Sequence, residues 1–388
     1  MAGVTVKVQP NILNWVMKKA EDEVVSTSVL ELLKKWISGE KTPTFNQIET
    51  VSKKVNIPFG YFFLNEPPVE ECDIVEYRTI DSVSVNDPSR NLIDTVDMMS
   101  NVQEWMAEYN KENLAEGYSF VGRASKQHNV RAVVKDILSE LDMSEDWFAE
   151  FKNASDAFRY IRSKLTAIGI LVMMNGVVGN NTHRKLDIEE FRAFTLIDKY
   201  APLIFINSAD TNNGKLFSLL HETVHVWIGK NSFYNDYYGN SDLVGKDEQF
   251  CNAVAAEILV PDTVFASKWD ELVGDPQERI EELSKYFVCS NFVLLRKALS
   301  CKKIGRDDYN SLSALYKAMF HKNRTANEKK GSGGDFYRTL NSKWDRRFVL
   351  ALAASAKSGQ TLYSDAYRLT NTTGKTFHEL VGKAGGVV

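Results

Sequence analysis

At 388 residues the chain exceeds the size of one ordinary domain, so two or three units are expected. Hydrophobic residues make up 44% and charged residues 25%, proportions that exclude wholesale disorder, and a net charge of -4 excludes a global electrostatic drive toward nucleic acid or anionic membrane. The four cysteines, Cys72, Cys251, Cys289 and Cys301, lie far apart with no CxxC pair, which argues against a disulfide framework and a thiolate zinc knuckle and leaves His and carboxylate side chains as the expected metal ligands.

The start, MAGVTVKVQPNILNW, carries no apolar signal core, and no uncharged apolar run approaches the roughly 18 residues that span a bilayer, so a cytoplasmic protein without membrane contact is expected. From residue 10 to 66 the pattern predicts short amphipathic helices. They comprise Ile12, Trp15 and Val16 at helical spacing, Val29 to Trp36 before a stop at Gly39 and Pro43, and Thr44 to Val55 before Ile57-Pro58. Glu66 to Ser89 holds Pro67-Pro68 and Glu70-Glu71 and reads as an acidic connector with one strand at Ile74 to Thr79. Apolar residues then recur at helical spacing, without Gly or Pro, from Asn91 to Tyr109 and from Arg131 to Lys164, which predicts long helices. Short β-branched or aromatic runs at Ile168 to Met174, Arg192 to Ile197 and Leu203 to Asn207 predict a small sheet. A helix from about Gly214 to Ile228 follows and stops at Gly229, and another from about Lys246 to Val260 ends at Pro261. Helical patterns fill Gln277 to His321, a glycine-rich break spans Asn327 to Asp335, and the remainder reads as a separate helical cap.

The helix ending at Gly229 contains His221-Glu222-Thr-Val-His225. Spacing of i to i+4 puts both imidazoles on one helical face, where they can reach one zinc ion, and Glu222 beside the first ligand is placed to act as catalytic base. A third protein ligand is required, and Glu248 and Glu257 are the candidates. Nine residues at about 100° each leave these carboxylates on opposite faces, so only one can ligate. Glu248 shares its stripe with Cys251, Asn252, Ala255 and Ala256, small side chains that allow close helix approach, which favours Glu248; Glu257 lies over Phe250, Ala253 and Val254 as a rim carboxylate. Asn252 is placed either to hydrogen-bond a ligand or to sit on the helix surface. Tyr234, Tyr237, Tyr238 and His183 are loop candidates for oxyanion stabilisation, with surface or packing roles as the commoner alternative. Leu203 to Asn207 is expected to be a sheet edge to which an extended peptide adds, a role that Phe205→Pro would remove.

Two stretches, Leu216-Phe-Ser-Leu-Leu-His-Glu-Thr-Val-His225 and Glu248-x-x-Cys-Asn-x-x-Ala-Ala-x-Ile-Leu-Val-Pro261, together resemble the ImmA/IrrE family of metallopeptidases over roughly residues 157–265. The family pattern has Ala, Phe and Met where this chain has Cys251, Val254 and Val260, all apolar exchanges. The resemblance implies an α+β, zincin-like core of a small sheet plus the HExxH helix, flanked by helical modules. It also implies a Zn2+ site of His221, His225 and Glu248 with Glu222 as base. The N-terminal module resembles an XRE-type helix-turn-helix through Trp36-Ile-Ser-Gly39-Glu-Lys-Thr-Pro43-Thr44 and Ile57-Pro-Phe-Gly-Tyr-Phe-Phe63. It departs between Lys19 and Trp36, where the chain is too short for both a positioning and a recognition helix. Lys18, Lys19, Lys34, Lys35 and Lys41 are either phosphate contacts or a solvated face, so DNA is a weaker candidate partner. The tail, Phe336-Tyr-Arg-Thr through Arg347-Phe-Val-Leu-Ala and Thr361-Leu-Tyr-Ser-Asp-Ala-Tyr-Arg, looks like the C-terminal extension of longer fusions.

The organisation implied is a helix-turn-helix-like module over 1–66, a connector and helical region over 67–150, a zinc peptidase domain over 151–325 and a small helical module over 326–388. The function implied is an endopeptidase, either active as it stands or latent until a partner or signal exposes the cleft, that cleaves a protein partner such as a helix-turn-helix repressor of a mobile element or stress response. The alternative is a regulator or antitoxin-like partner of a toxin that keeps the peptidase fold without proteolysis.

Overall fold

The computed structural model describes residues 4–22, 25–68, 88–113, 116–124, 129–234, 246–328 and 342–386. Cys72, the strand expected at Ile74 to Thr79, Tyr237, Tyr238, most of the glycine-rich break and Phe336 lie outside these residues. The chain divides into two compact units, Met1–Cys72 and Asp73–Val388.

In the first unit, α1 (Pro10–Asp22), α2 (Thr27–Ile37) and α3 (Phe45–Val55) close around Ile12, Val16, Leu33, Trp36, Ile48 and Val51. Helix α3 begins with Thr44-Phe-Asn-Gln47, in which the Thr44 hydroxyl accepts from the Gln47 amide and the Gln47 side chain accepts from the Thr44 amide. This reciprocal cap satisfies two amides that the first helical turn leaves open. Among the described residues, the interval from Lys19 to Trp36 carries the end of α1 and most of α2 and no further helix.

The second unit is α+β, built on a four-stranded mixed sheet. The strands β1 (Leu171–Asn175), β2 (Ala193–Leu196), β3 (Leu203–Asn207) and β4 (Ser232–Tyr234) lie in the order β1-β3-β2-β4. The expectation of an edge at Leu203 to Asn207 is wrong. That strand is parallel to β1 on one side and antiparallel to β2 on the other, and all five of its residues are buried. A strand whose Leu, Ile, Phe and Ile are covered on both faces belongs inside a sheet, and here the hairpin from β2 and the parallel β1 occupy its two sides. Phe205 stacks on Phe194 with centroids 4.9 Å apart, so Phe205→Pro would break a central strand rather than remove a docking edge.

The side chains of β3 alternate between two layers. Ile204 and Ile206 join the large core with α6 (Ala154–Ile168) and α7 (Asn212–Ile228), while Phe205 joins the rings of Phe191 and Phe194. Helix α4 (Arg90–Asn113) extends the predicted span at both ends. The long helix expected from Arg131 to Lys164 is instead α5 (Val130–Glu140), a 3-10 turn at Trp147–Glu150, and α6. Asp142 adopts φ 49°, and the Asn153 side chain caps the restart by accepting from the Asp156 amide. Trp147 and Phe148 are buried within the turn, so the apolar period continues through a break in the helix.

The helices α8 (Lys246–Leu259), α9 (Asp262–Glu271), α10 (Pro276–Tyr286), α11 (Asn291–Ser300) and α12 (Arg306–Glu328) follow. The last described stretch holds α13 (Arg346–Lys357), α14 (Tyr363–Leu369) and α15 (Gly374–Lys383). Asp345 ties the start of α13 to β1 and α6: it caps the helix and also accepts from Thr166 Oγ1 at 2.6 Å and Val172 N at 3.3 Å. Among the described residues no single helix is long and apolar enough to cross a membrane.

Candidate metal centre

Both ends of α7 are fixed. Thr211 caps the start by accepting from the Gly214 amide, and Gly229 ends it at φ 76°. A Cβ at Gly229 would lie 2.8 Å from Gly122 Cα, so this position needs glycine for its conformation and for the close approach of the 116–124 loop. That loop returns the favour by donating from Gly122 N to Val226 O and from Ala124 N to Trp227 O at 3.0 and 2.7 Å. Residues His221, Glu222 and His225, on the last two turns, are thereby held fully buried.

Three side chains converge from two helices. His221 Nε2 and His225 Nε2 are 3.1 Å apart, Glu248 Oε2 is 3.0 Å from the first, and Glu248 Oε1 is 3.2 Å from the second. Helix α8 packs on α7, and its small buried residues Cys251 and Asn252 face the histidines there. Donors bonded at 2.0–2.1 Å to one tetrahedral zinc are about 3.3 Å apart, so the triangle fits such an ion. His221 Nδ1 lies 3.0 Å from Asn252 Oδ1, an acceptor, which assigns the ring proton to Nδ1 and turns the Nε2 lone pair toward Glu248 and His225. Lone pairs and a carboxylate gathered in this way repel one another unless a proton or a metal ion sits between them. Burial opposes charge on Glu248 and on His225, yet their mutual attraction outweighs it. The carboxyl is held well below its usual range, and His225, between Cys251 and Glu248, is held well above its own.

Glu222 lies on the sheet side of α7. Its Oε2 accepts from Thr195 Oγ1 of β2 at 2.5 Å and from the Ser232 hydroxyl of β4. Among the described residues its other oxygen, Oε1, has no hydrogen-bond partner although it is buried. A carboxylate anchored by one oxygen and open at the other is suited to taking and returning a proton. Sequence reasoning missed Thr195 and Ser232, since a hydroxyl on a short strand carries no signal of what it faces.

Glu257 points elsewhere. Its Oε2 pairs with Lys297 Nζ of α11 at 2.7 Å, both its oxygens accept from Asp262 N at 3.1 Å, and Lys297 also pairs with Asp262 Oδ1 at 2.6 Å. The expected rim carboxylate is therefore the centre of a buried polar lock between α8, α9 and α11.

Residues 166–299 match the family model of the IrrE N-terminal-like domain (Peptidase_M78). The match supports the ImmA/IrrE resemblance and a peptidase, and its span, from the end of α6 to the end of α11, contains the donor triangle and Glu222. Residues 344–383, which comprise α13 to α15, match a domain of unknown function (DUF8813). No curated protein and no solved structure matches the chain.

Beside α7 opens a cleft of about 810 Å³. Phe217, Phe250 and Phe292 form much of its apolar wall, Arg131 and Arg296 are cationic, and Asn252 connects it to His221. Of the oxyanion candidates, His183 is exposed in a turn where its amide donates to Asn181 Oδ1, away from this cleft. Tyr234 belongs to β4, where it pairs with Ala193.

Proposed function

We propose that the chain is a zinc-dependent endopeptidase of the HExxH type that cleaves a protein partner in the cytoplasm, such as a helix-turn-helix repressor of a mobile element or stress response. The observation that carries this reading is the convergence of His221, His225 and Glu248 on one point beside a carboxylate, Glu222, with one oxygen held and one open. His221, His225 and Glu248 hold the ion. Zinc bound there supplies a Lewis acid and a nucleophile at neutral pH. Glu222 Oε1 takes a proton from the attacking water and returns it to the leaving amine, while Thr195 and Ser232 keep Oε2 in place. Asn252 keeps the His221 ring turned with Nε2 inward.

Glu222→Gln tests the reading, because it preserves shape and hydrogen bonding to Thr195 while removing the base. Wild type and Glu222→Gln, both carrying zinc, are incubated with a lysate of the source cells, and new protein N-termini are mapped. The proposal expects new termini on one or a few proteins with wild type and a fall of on the order of 100-fold or more with the variant. Zinc-loaded wild type that generates no more termini than the variant, and stays silent when Cys251 beside the two histidines is replaced by alanine, would favour a regulator or antitoxin-like partner built on a peptidase fold.

A further inference from the structure

We infer that Cys251 is a fourth protein donor to the same ion, so that the resting centre is a closed His-His-Glu-Cys set and the peptidase is latent until the sulfur is displaced. This inference rests on the zinc reading above. The absence of a CxxC pair leads one to expect only His and carboxylate ligands, but a thiol can also enter a site by helical spacing. His221 and His225 are four residues apart on α7, and Glu248 and Cys251 are three apart on α8, so each helix turns two side chains to the shared seam. The donor atoms of His221, His225 and Cys251 all lie within 4.8 Å of one another. Cys251 is fully buried and is a free thiol.

A structural zinc site is closed by four protein ligands, whereas a catalytic one keeps a position open. Ligation by His221, His225 and Glu248 leaves one vertex of a tetrahedron, and the Cys251 thiol, grouped with the same two imidazoles, is the side chain assigned to it. Coordination by the thiol releases its proton to solvent. Glu222, with its open oxygen, has no role in a permanently closed site, so the two features together describe a centre that closes at rest and opens for chemistry. The competitor for that vertex is the oxygen of a bound peptide or water.

The test is replacement of the ion by Co2+ in the full-length chain, with spectra of wild type, Cys251→Ala and Cys251→Ser. Visible d–d bands are expected in all three, and a near-ultraviolet sulfur-to-cobalt charge-transfer band in wild type alone. X-ray absorption of zinc-loaded wild type is expected to show a sulfur at about 2.3 Å, replaced in Cys251→Ala by a nitrogen or oxygen neighbour at about 2.0–2.1 Å. Cleavage by Cys251→Ala is expected to exceed that of wild type. Cobalt or zinc bound without a charge-transfer band or a sulfur shell in wild type overturns the inference and leaves the zinc reading standing. Failure of wild type to take up either metal overturns both.

Discussion

The two ends of α8 carry carboxylates of the same kind in opposite surroundings. Glu248, in the first turn, faces two imidazole nitrogens at 3.0 and 3.2 Å, while Glu257, in the last turn, is neutralised by Lys297 at 2.7 Å and by the Asp262 amide. One end gathers electron pairs and calls for a cation from outside; the other already contains its cation. The lesson is that a carboxylate's role is set by what completes it. A partly exposed acid facing lone pairs is a ligand site, and a buried acid facing an ammonium is a structural lock.

Apart from the metal ligand itself, the largest expected effect is at the lock. Glu257→Ala is expected to destabilise the second unit by about 3 kcal/mol, the lower end for a broken buried pair because Asp262 still pairs with Lys297. Denaturant midpoints of the variant measure the loss, and its folded fraction is expected to bind zinc as wild type does. A Glu257→Ala protein of wild-type stability would remove the distinction between the two ends. A smaller effect is expected at Asn252, which touches the site only through His221 Nδ1. Asn252→Ala is expected to weaken zinc binding by about 10- to 100-fold, measured by competition with a chromophoric chelator. Unchanged affinity would mean that Asn252 merely fills the seam. The smallest effect is expected at Lys230, which pairs with Asp247 at 3.0 Å next to Glu248 while remaining more than half exposed. Lys230→Ala is expected to cost less than about 1 kcal/mol in a thermal melt and to leave metal affinity unchanged. A large loss there would show that charge near the first turn of α8, rather than ligation by Glu248, governs the site.

Much of the core was legible because local pattern and tertiary role agree there. Leu203–Asn207 has the predicted bounds, and α7 ends at Gly229 where a left-handed residue and a close backbone contact both require glycine. The facing of Glu248 toward the histidines followed from helical angle and the small side chains of Cys251, Asn252 and Ala255. Other features depend on partners far away in sequence. The central position of β3 follows from its two neighbours, which its own residues do not reveal. Lys297 completes Glu257 from forty residues downstream, and Thr195 reaches Glu222 from a strand twenty-seven residues upstream. The break between α5 and α6 is hidden because Trp147 and Phe148 keep the apolar period while the backbone turns. The three residues of β4 are too few for a strand pattern to register.

The most direct test of the central claim is zinc stoichiometry by elemental analysis of wild type, Glu248→Ala and Glu257→Ala, prepared identically and corrected for folded fraction. The account predicts one zinc per chain in wild type and in Glu257→Ala and its loss in Glu248→Ala once Cys251→Ala is added, since the thiol would otherwise leave a three-ligand set with His221 and His225. Zinc retained at one per chain by the Glu248→Ala, Cys251→Ala double variant, or wild type that takes up none after reconstitution, would contradict it.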